Sequence, residues 1–250
     1  MTMSEQPRIP GSNIDLLKRY VYPKLSVINP VRGCGPRPCY ICSEISPVYQ
    51  TSLPLDVLNT LFSTYSGDKQ LMLFGQGDPI YFNDKDYSIT DVFAAAHEAK
   101  VRIYARTHGC LREETKTIAA VKNLVAYLIG NNLPKNQARL DLSIDEYGWF
   151  GVEPEEHIAS IENFYSIIAP LKPTVFAFSN NNAQDNELGS STRLDELLNQ
   201  VQIPDRDVAY QDIYYFKEGD RPSRIQPKPP RATSFEPWHG TFIDADGTIL

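Results

Sequence analysis

Short apolar runs alternate along this chain with stretches whose apolar residues fall at helical spacing. The first run, 25–29, reads as a strand and feeds a loop rich in glycine and proline. Residues 55–65 follow as a helix that stops at Ser66-Gly67. A second strand over 70–74 leads to Gly75-Gln76-Gly77-Asp78-Pro79, and a helix over 90–100 has Thr90 as its expected N-cap. A third strand over 101–106 runs into Thr107-His108-Gly109. The long amphipathic pattern 112–129 is closed by Gly130-Asn131-Asn132. Strand 138–145, helix 154–168, strand 174–178, helix 193–201 and strand 208–216 complete the series.

Strands that alternate with helices predict an α/β fold with a parallel sheet. Six such units form either an open sheet or a partly closed barrel, and the strand patterns favour the barrel. In 101–106 and 140–145 apolar and polar residues alternate, whereas a strand covered on both faces usually reads as continuously apolar. One face should therefore pack on helices. The other should carry Arg102, Tyr104, Arg106, Asp141, Ser143 and Asp145 into a polar lumen; edge strands with one wet face are the alternative. The expected organisation is a polar lead over 1–20 within a domain spanning 1–216, followed by 217–250. That last segment divides into a proline-rich basic stretch over 217–231 and a small hairpin around Asp246-Gly247.

Composition narrows the function classes. The 250 residues are 42% hydrophobic and 22% charged, an ordinary globular balance. No apolar run is long enough to span a bilayer, and the start lacks the features of a signal peptide. A cytoplasmic protein with no membrane partner is expected. The net charge of −7 argues against nucleic acid as a main partner.

Cysteine usage adds chemistry. Cys34, Cys39 and Cys42 share one short loop, and Cys110 stands apart. In a cytosolic chain such a cluster points to metal or redox work before disulfides. Three thiolates can hold three irons of a four-iron cluster and leave the fourth for another ligand. Cys39-x-x-Cys42 also has the spacing of half a zinc site, which Cys34, or His108 with Cys110, would complete. The triplet follows the first strand, and ligand sites of parallel α/β folds gather at the carboxyl ends of strands.

The order of these motifs resembles the radical S-adenosylmethionine enzymes. In that family a cysteine triplet follows strand one, a Gly-Gly-Glu-Pro-like element strand two, a Thr-Asn-Gly-like element strand three, and Ser-x-Asp strand four. Gly75–Pro79, Thr107–Gly109 and Ser143-Ile144-Asp145 stand in those places. The resemblance covers roughly 25–216, and the tail from Phe242 to Ile249 is similar to a segment of peptide-modifying members. Two departures are plain: four residues separate Cys34 from Cys39 where the family usually has three, and Asp78 replaces the usual glutamate.

The resemblance implies a partial (β/α)6 barrel of the radical S-adenosylmethionine type with a short C-terminal extension. It implies a [4Fe–4S] cluster on Cys34, Cys39 and Cys42, and S-adenosylmethionine as cofactor. Gly75, Gln76, Gly77 and Asp78 would hold its amino group, with Thr107, Ser143 and Asp145 lining the rest. Reductive cleavage would give a 5′-deoxyadenosyl radical that removes hydrogen from a substrate, and the electron would come from a flavodoxin- or ferredoxin-type reductant. Arg102, Arg106 and the basic 217–231 stretch favour an anionic substrate, and the tail favours a peptide. Cys110 is either a hydrogen donor to a substrate radical or a small buried residue. A zinc-stabilised binding protein and a barrel that has lost catalysis are the competing readings.

Overall fold

The computed structural model describes residues 17–23, 25–32, 51–73, 77–109, 115–145, 154–180, 198–201, 203, 208–218, 221–227 and 241–243. Its centre is an eight-stranded sheet built on β1 (Leu25–Ile28), β4 (Leu71–Leu73), β7 (Ile103–Thr107), β8 (Ala138–Asp145), β9 (Val175–Asn180) and β10 (Val208–Glu218). These six lie side by side in chain order, each parallel to the next. In a doubly wound sheet the order reverses at a switch point; here it does not. The α/β fold with a parallel central sheet is thus as expected.

Between the strands lie α1 (Leu55–Thr64), α2 (Ile89–Glu98), α3 (Thr115–Gly130) and α4 (Pro154–Ile168), with 198–200 helical before β10. Each of the four packs on the next. Their buried residues join one core with Leu71, Leu73, Ile103, Ala105, Leu140, Leu142 and Val175. These strand residues are two apart along each strand, so they share one face of the sheet, the face that carries the helices. Helix α1 turns Leu55, Leu58, Leu61 and Phe62 into that core. Pro154 opens α4, where its missing N–H costs nothing.

Several boundaries differ from expectation. Helix α2 starts at Ile89, and its N-cap is Ser88, not Thr90. Ser88 and Asp91 form a capping box: Ser88 N donates to Asp91 Oδ2 at 2.7 Å and Thr90 N to Ser88 Oγ at 3.3 Å. The Ser-x-x-Asp signal was in the sequence. Thr90 instead donates its hydroxyl to Ala120 O, tying α2 to α3.

The chain beyond 216 also departs from a plain linker. Strand β10 continues to Glu218, and β11 (Arg221–Pro227) returns antiparallel beside it. Gly219-Asp220, two residues between the paired runs, is a hairpin signal in the sequence. Pro222 and Pro227 are tolerated because β11 is the outermost strand on that side. At the other edge β12 (Thr241–Ile243) pairs parallel to β1, and Asn29 N donates to Ile243 O at 2.7 Å. Strands from 217–250 thus flank both sides of the six. The rest of the expected C-terminal hairpin, 244–250, lies outside the described residues. The outer strands β11 and β12 do not pair with each other among the described residues.

Candidate functional site

Two antiparallel pairs of short strands lie outside this sheet, the second being β5 (Asn83–Asp84) with β6 (Tyr87–Ser88). In the first, β2 (Val31–Arg32) pairs with β3 (Thr51–Ser52), with Val31 opposite Ser52 and Arg32 opposite Thr51. Leu53 N also donates to Pro30 O at 2.9 Å. Segment 33–50, which contains Cys34, Cys39 and Cys42, is therefore rooted at both ends just past the carboxyl end of β1. The three cysteines, Cys110, Gly75 and Gln76 lie outside the described residues. Among the described residues no cluster of three or more His, Cys, Asp or Glu could hold a metal ion.

The second and third motifs meet. Asp78 is buried and caps the short 3-10 turn Pro79–Tyr81, with Oδ1 accepting from Ile80 N at 3.1 Å. Its Oδ2 accepts from the Thr107 hydroxyl at 2.6 Å and from His108 N at 2.9 Å, and His108 Nε2 lies 3.2 Å away. Thr107 Oγ1 in turn accepts from Gly109 N at 3.0 Å. Gly109 has φ +72°, and a Cβ there would sit 2.8 Å from Leu142 Cδ1 and 3.1 Å from Phe164 Cδ1. Only glycine fits both the left-handed backbone and the space. Thr-His-Gly at the end of β7 is thus a folded lock on Asp78, at the carboxyl ends of adjacent strands.

Two expected ligand groups, Asp78 and Thr107, thus meet each other. Both Asp78 oxygens are engaged by the protein. Thr107 continues the Ile103, Ala105 row and turns its buried hydroxyl toward Asp78. Gly77 is buried beside Asp78. Ser143 is half-buried on β8, in register with Phe176 of β9. Asp145 ends β8, its main chain in register with Phe178.

The sheet face away from the helices carries the polar row that alternation predicted, with changes. Arg102 precedes β7 and is exposed. Tyr104 and Asp141 are buried, while Arg106 and Ser143 are half-buried. Arg139, passed over in the sequence although it shares the parity of Asp141, completes the group. Tyr104 is in register with Arg139, and Arg106 with Asp141. The Arg106 guanidinium lies 3.7 Å from the Phe176 ring centroid and 5.9 Å from that of Tyr104; Arg139 lies 4.6 Å from the Tyr104 centroid. Arg139 Nε and Asp141 Oδ2 are 2.7 Å apart, close as an ion pair but not aligned as a hydrogen bond. Asp141 Oδ1 accepts from Thr174 N at 3.0 Å.

Burial pushes the Asp141 carboxyl above its usual range, against the Thr174 bond and the pull of Arg139, Arg106 and Lys135. Burial likewise raises the Tyr104 phenol, with Arg106 opposing.

No family model matches this chain, and no curated protein does. Among solved structures it is similar to the apo crystal structure of 3-keto-D-glucoside 4-epimerase, YcjR, from E. coli, at 11% identity and a TM-score of 0.32. The match spans 62% of this chain and 62% of that one, less than two thirds of either. A likeness at that level says nothing of activity. Among the described residues no helix is long and apolar enough to cross a membrane.

Proposed function

We propose that this chain is a radical S-adenosylmethionine enzyme, with a [4Fe–4S] cluster held by Cys34, Cys39 and Cys42 in a partial (β/α)6 barrel. One observation carries the reading: the motifs of the resemblance follow four strands, β1, β4, β7 and β8, that neighbour one another in the sheet in chain order. The cysteine segment is rooted past β1 by the β2–β3 pair. Asp78 and Thr107–Gly109 follow β4 and β7 and are bonded together, and Ser143 and Asp145 close β8. Three soft thiolates suit iron–sulfur ligation.

Held by Cys34, Cys39 and Cys42, such a cluster would supply the electron for reductive cleavage of S-adenosylmethionine to methionine and a 5′-deoxyadenosyl radical. The residues of the chain bind and orient. The Asp78 lock fixes the turn after Gly77, and Gly75, Gln76, Gly77 and Asp78 would hold the amino group of the cofactor. Ser143 and Asp145 line the neighbouring strand end. The substrate would lie on the sheet face away from the helices, beside Ser143, and a flavodoxin- or ferredoxin-type protein would supply the electron.

Anaerobic reconstitution with iron and sulfide tests this. A brown protein should form, and its reduced state should release 5′-deoxyadenosine from S-adenosylmethionine. Cys34→Ala, Cys39→Ala and Cys42→Ala should each lose most of the iron, because each thiolate is the sole protein ligand to its iron. Cys110→Ala should keep it. A colourless protein carrying stoichiometric zinc would replace this reading with a zinc-stabilised one, and a brown protein that leaves S-adenosylmethionine intact would point to a barrel without catalysis.

A further inference from the structure

The helix-bearing face of this sheet is apolar, yet the middle of the other face carries Tyr104, Arg106, Arg139 and Asp141. Burying ions is costly, and apolar replacements of similar volume are often neutral or stabilising. Stability therefore gives no reason for the group. Among the described side chains of this face, two guanidiniums meet one carboxylate, an excess of positive charge in a chain of net charge −7. The group is also ordered in rows. Arg106 and Asp141 are in register, and the next row toward the carboxyl end holds Ser143 and Phe176. Arg106 bridges the two rows, since its guanidinium stacks 3.7 Å from the Phe176 centroid. It thus reaches the row at which the proposed site begins.

We infer that Arg106 is an anion-recognition group that takes a carboxylate of the molecule bound beside Ser143 and Phe176. Phe176 and Tyr104 fix the guanidinium plane, and Asp141 with Arg139 forms the charged floor beneath it. A guanidinium has five N–H donors in a rigid fork, so one group can serve the wall and a ligand at once. The carboxylate belongs either to the substrate or to the methionine part of the cofactor. This inference takes its placement of the ligand from the proposed function, but its test does not depend on catalysis.

Glutarate, a simple dicarboxylate, is the probe, and its uncharged diamide the control. Binding to the full chain is measured by calorimetry without reductant, with iron content recorded on the same sample. Wild type should bind glutarate saturably and ignore the diamide. Arg106→Gln should weaken glutarate about ten-fold or more, the loss expected for a charged hydrogen bond. Arg106→Lys keeps the charge and is the safer variant for folding; it should still weaken binding several-fold, because it lacks the planar fork. Displacement of glutarate by S-adenosylmethionine assigns the carboxylate to the cofactor. Glutarate left in place assigns it to the substrate, and both results uphold the inference. Equal binding by wild type and a folded Arg106 variant overturns it, as does no binding by wild type. Iron and cofactor cleavage without glutarate binding would sink this inference alone. Glutarate binding without iron would sink the cluster reading alone.

Discussion

On the helix-bearing face of the sheet, Ile103, Ala105, Leu140 and Leu142 share one buried core with Val121, Leu124, Ile161 and Phe164. One residue along each strand, on the other face, stand Tyr104, Arg106, Arg139 and Asp141. The same backbone presents both sets, and the period of two along a strand separates them. The apolar face holds its shape by packing, where each side chain fills a space left by others. The charged face holds its shape by stacking and ion pairing, which stabilise little once desolvation is counted. The first face is where the fold is made, and the second is where a ligand has something to recognise.

The largest effect expected from this contrast comes from the apolar side. Phe164 is fully buried on α4 and packs beneath Gly109. Phe164→Ala should cost about 3–5 kcal/mol in urea unfolding, from lost burial plus the cavity left behind. Ser143→Ala, on the other face, should stay within about 0.5 kcal/mol. Comparable losses at the two positions would erase the distinction between the faces.

A smaller effect is expected at the rim, where the two faces end. In Asp78→Asn one end of the side chain is an amide NH2, which cannot accept a hydrogen bond. Either Ile80 N or the Thr107 hydroxyl and His108 N then lose their acceptor in a buried place. The cost should be about 1–3 kcal/mol, with faster amide exchange at the affected N–H groups. Slow exchange at both sites and an unchanged urea midpoint would mean that the lock is not what joins the β4 and β7 ends.

Much of this was legible in the residues. Strand β8 and helix α4 begin and end where the apolar pattern does, because each has a clear period and clear flanks. The parallel pairing of the strands follows from the regular alternation of strands and helices. Other signals present in the sequence are the Ser88–Asp91 box, the Gly219-Asp220 pair and the parity of Arg139. The role of Asp78 was not legible. A Gly-Asp-Pro run gives no sign of which neighbours its carboxylate meets, and only the fold brings Thr107 and His108, far away in sequence, onto it. The pairing of β12 with β1 was hidden for the same reason, since three residues near the end of the chain carry no mark of their partner.

The finest test concerns what the charge on the second face does to stability. Burial raises the Asp141 carboxyl above its ordinary value of 3.8, so the native protein keeps this proton to higher pH than the unfolded chain does. From the ordinary value up to the raised one, the unfolded state binds fewer protons, and stability from this group falls as pH rises. Other carboxylates act in the opposite sense, but they are common to wild type and Asp141→Asn and cancel in the difference. At low pH the protonated acid and the amide are near equivalents in shape and charge, so the two proteins should have similar unfolding free energies there. As pH rises through the window, wild type should lose ground to the variant, and the difference should level off once Asp141 is ionised in the native state. Urea unfolding of both proteins at a series of pH values between about 3 and 7 gives that curve, the lower bound lying just below the ordinary aspartate value. The opposite slope, with wild type gaining as pH rises, would mean that Arg139, Arg106 and the Thr174 bond outweigh burial. The charged face would then contribute to the fold as the apolar face does, and the contrast between them would be one of chemistry alone.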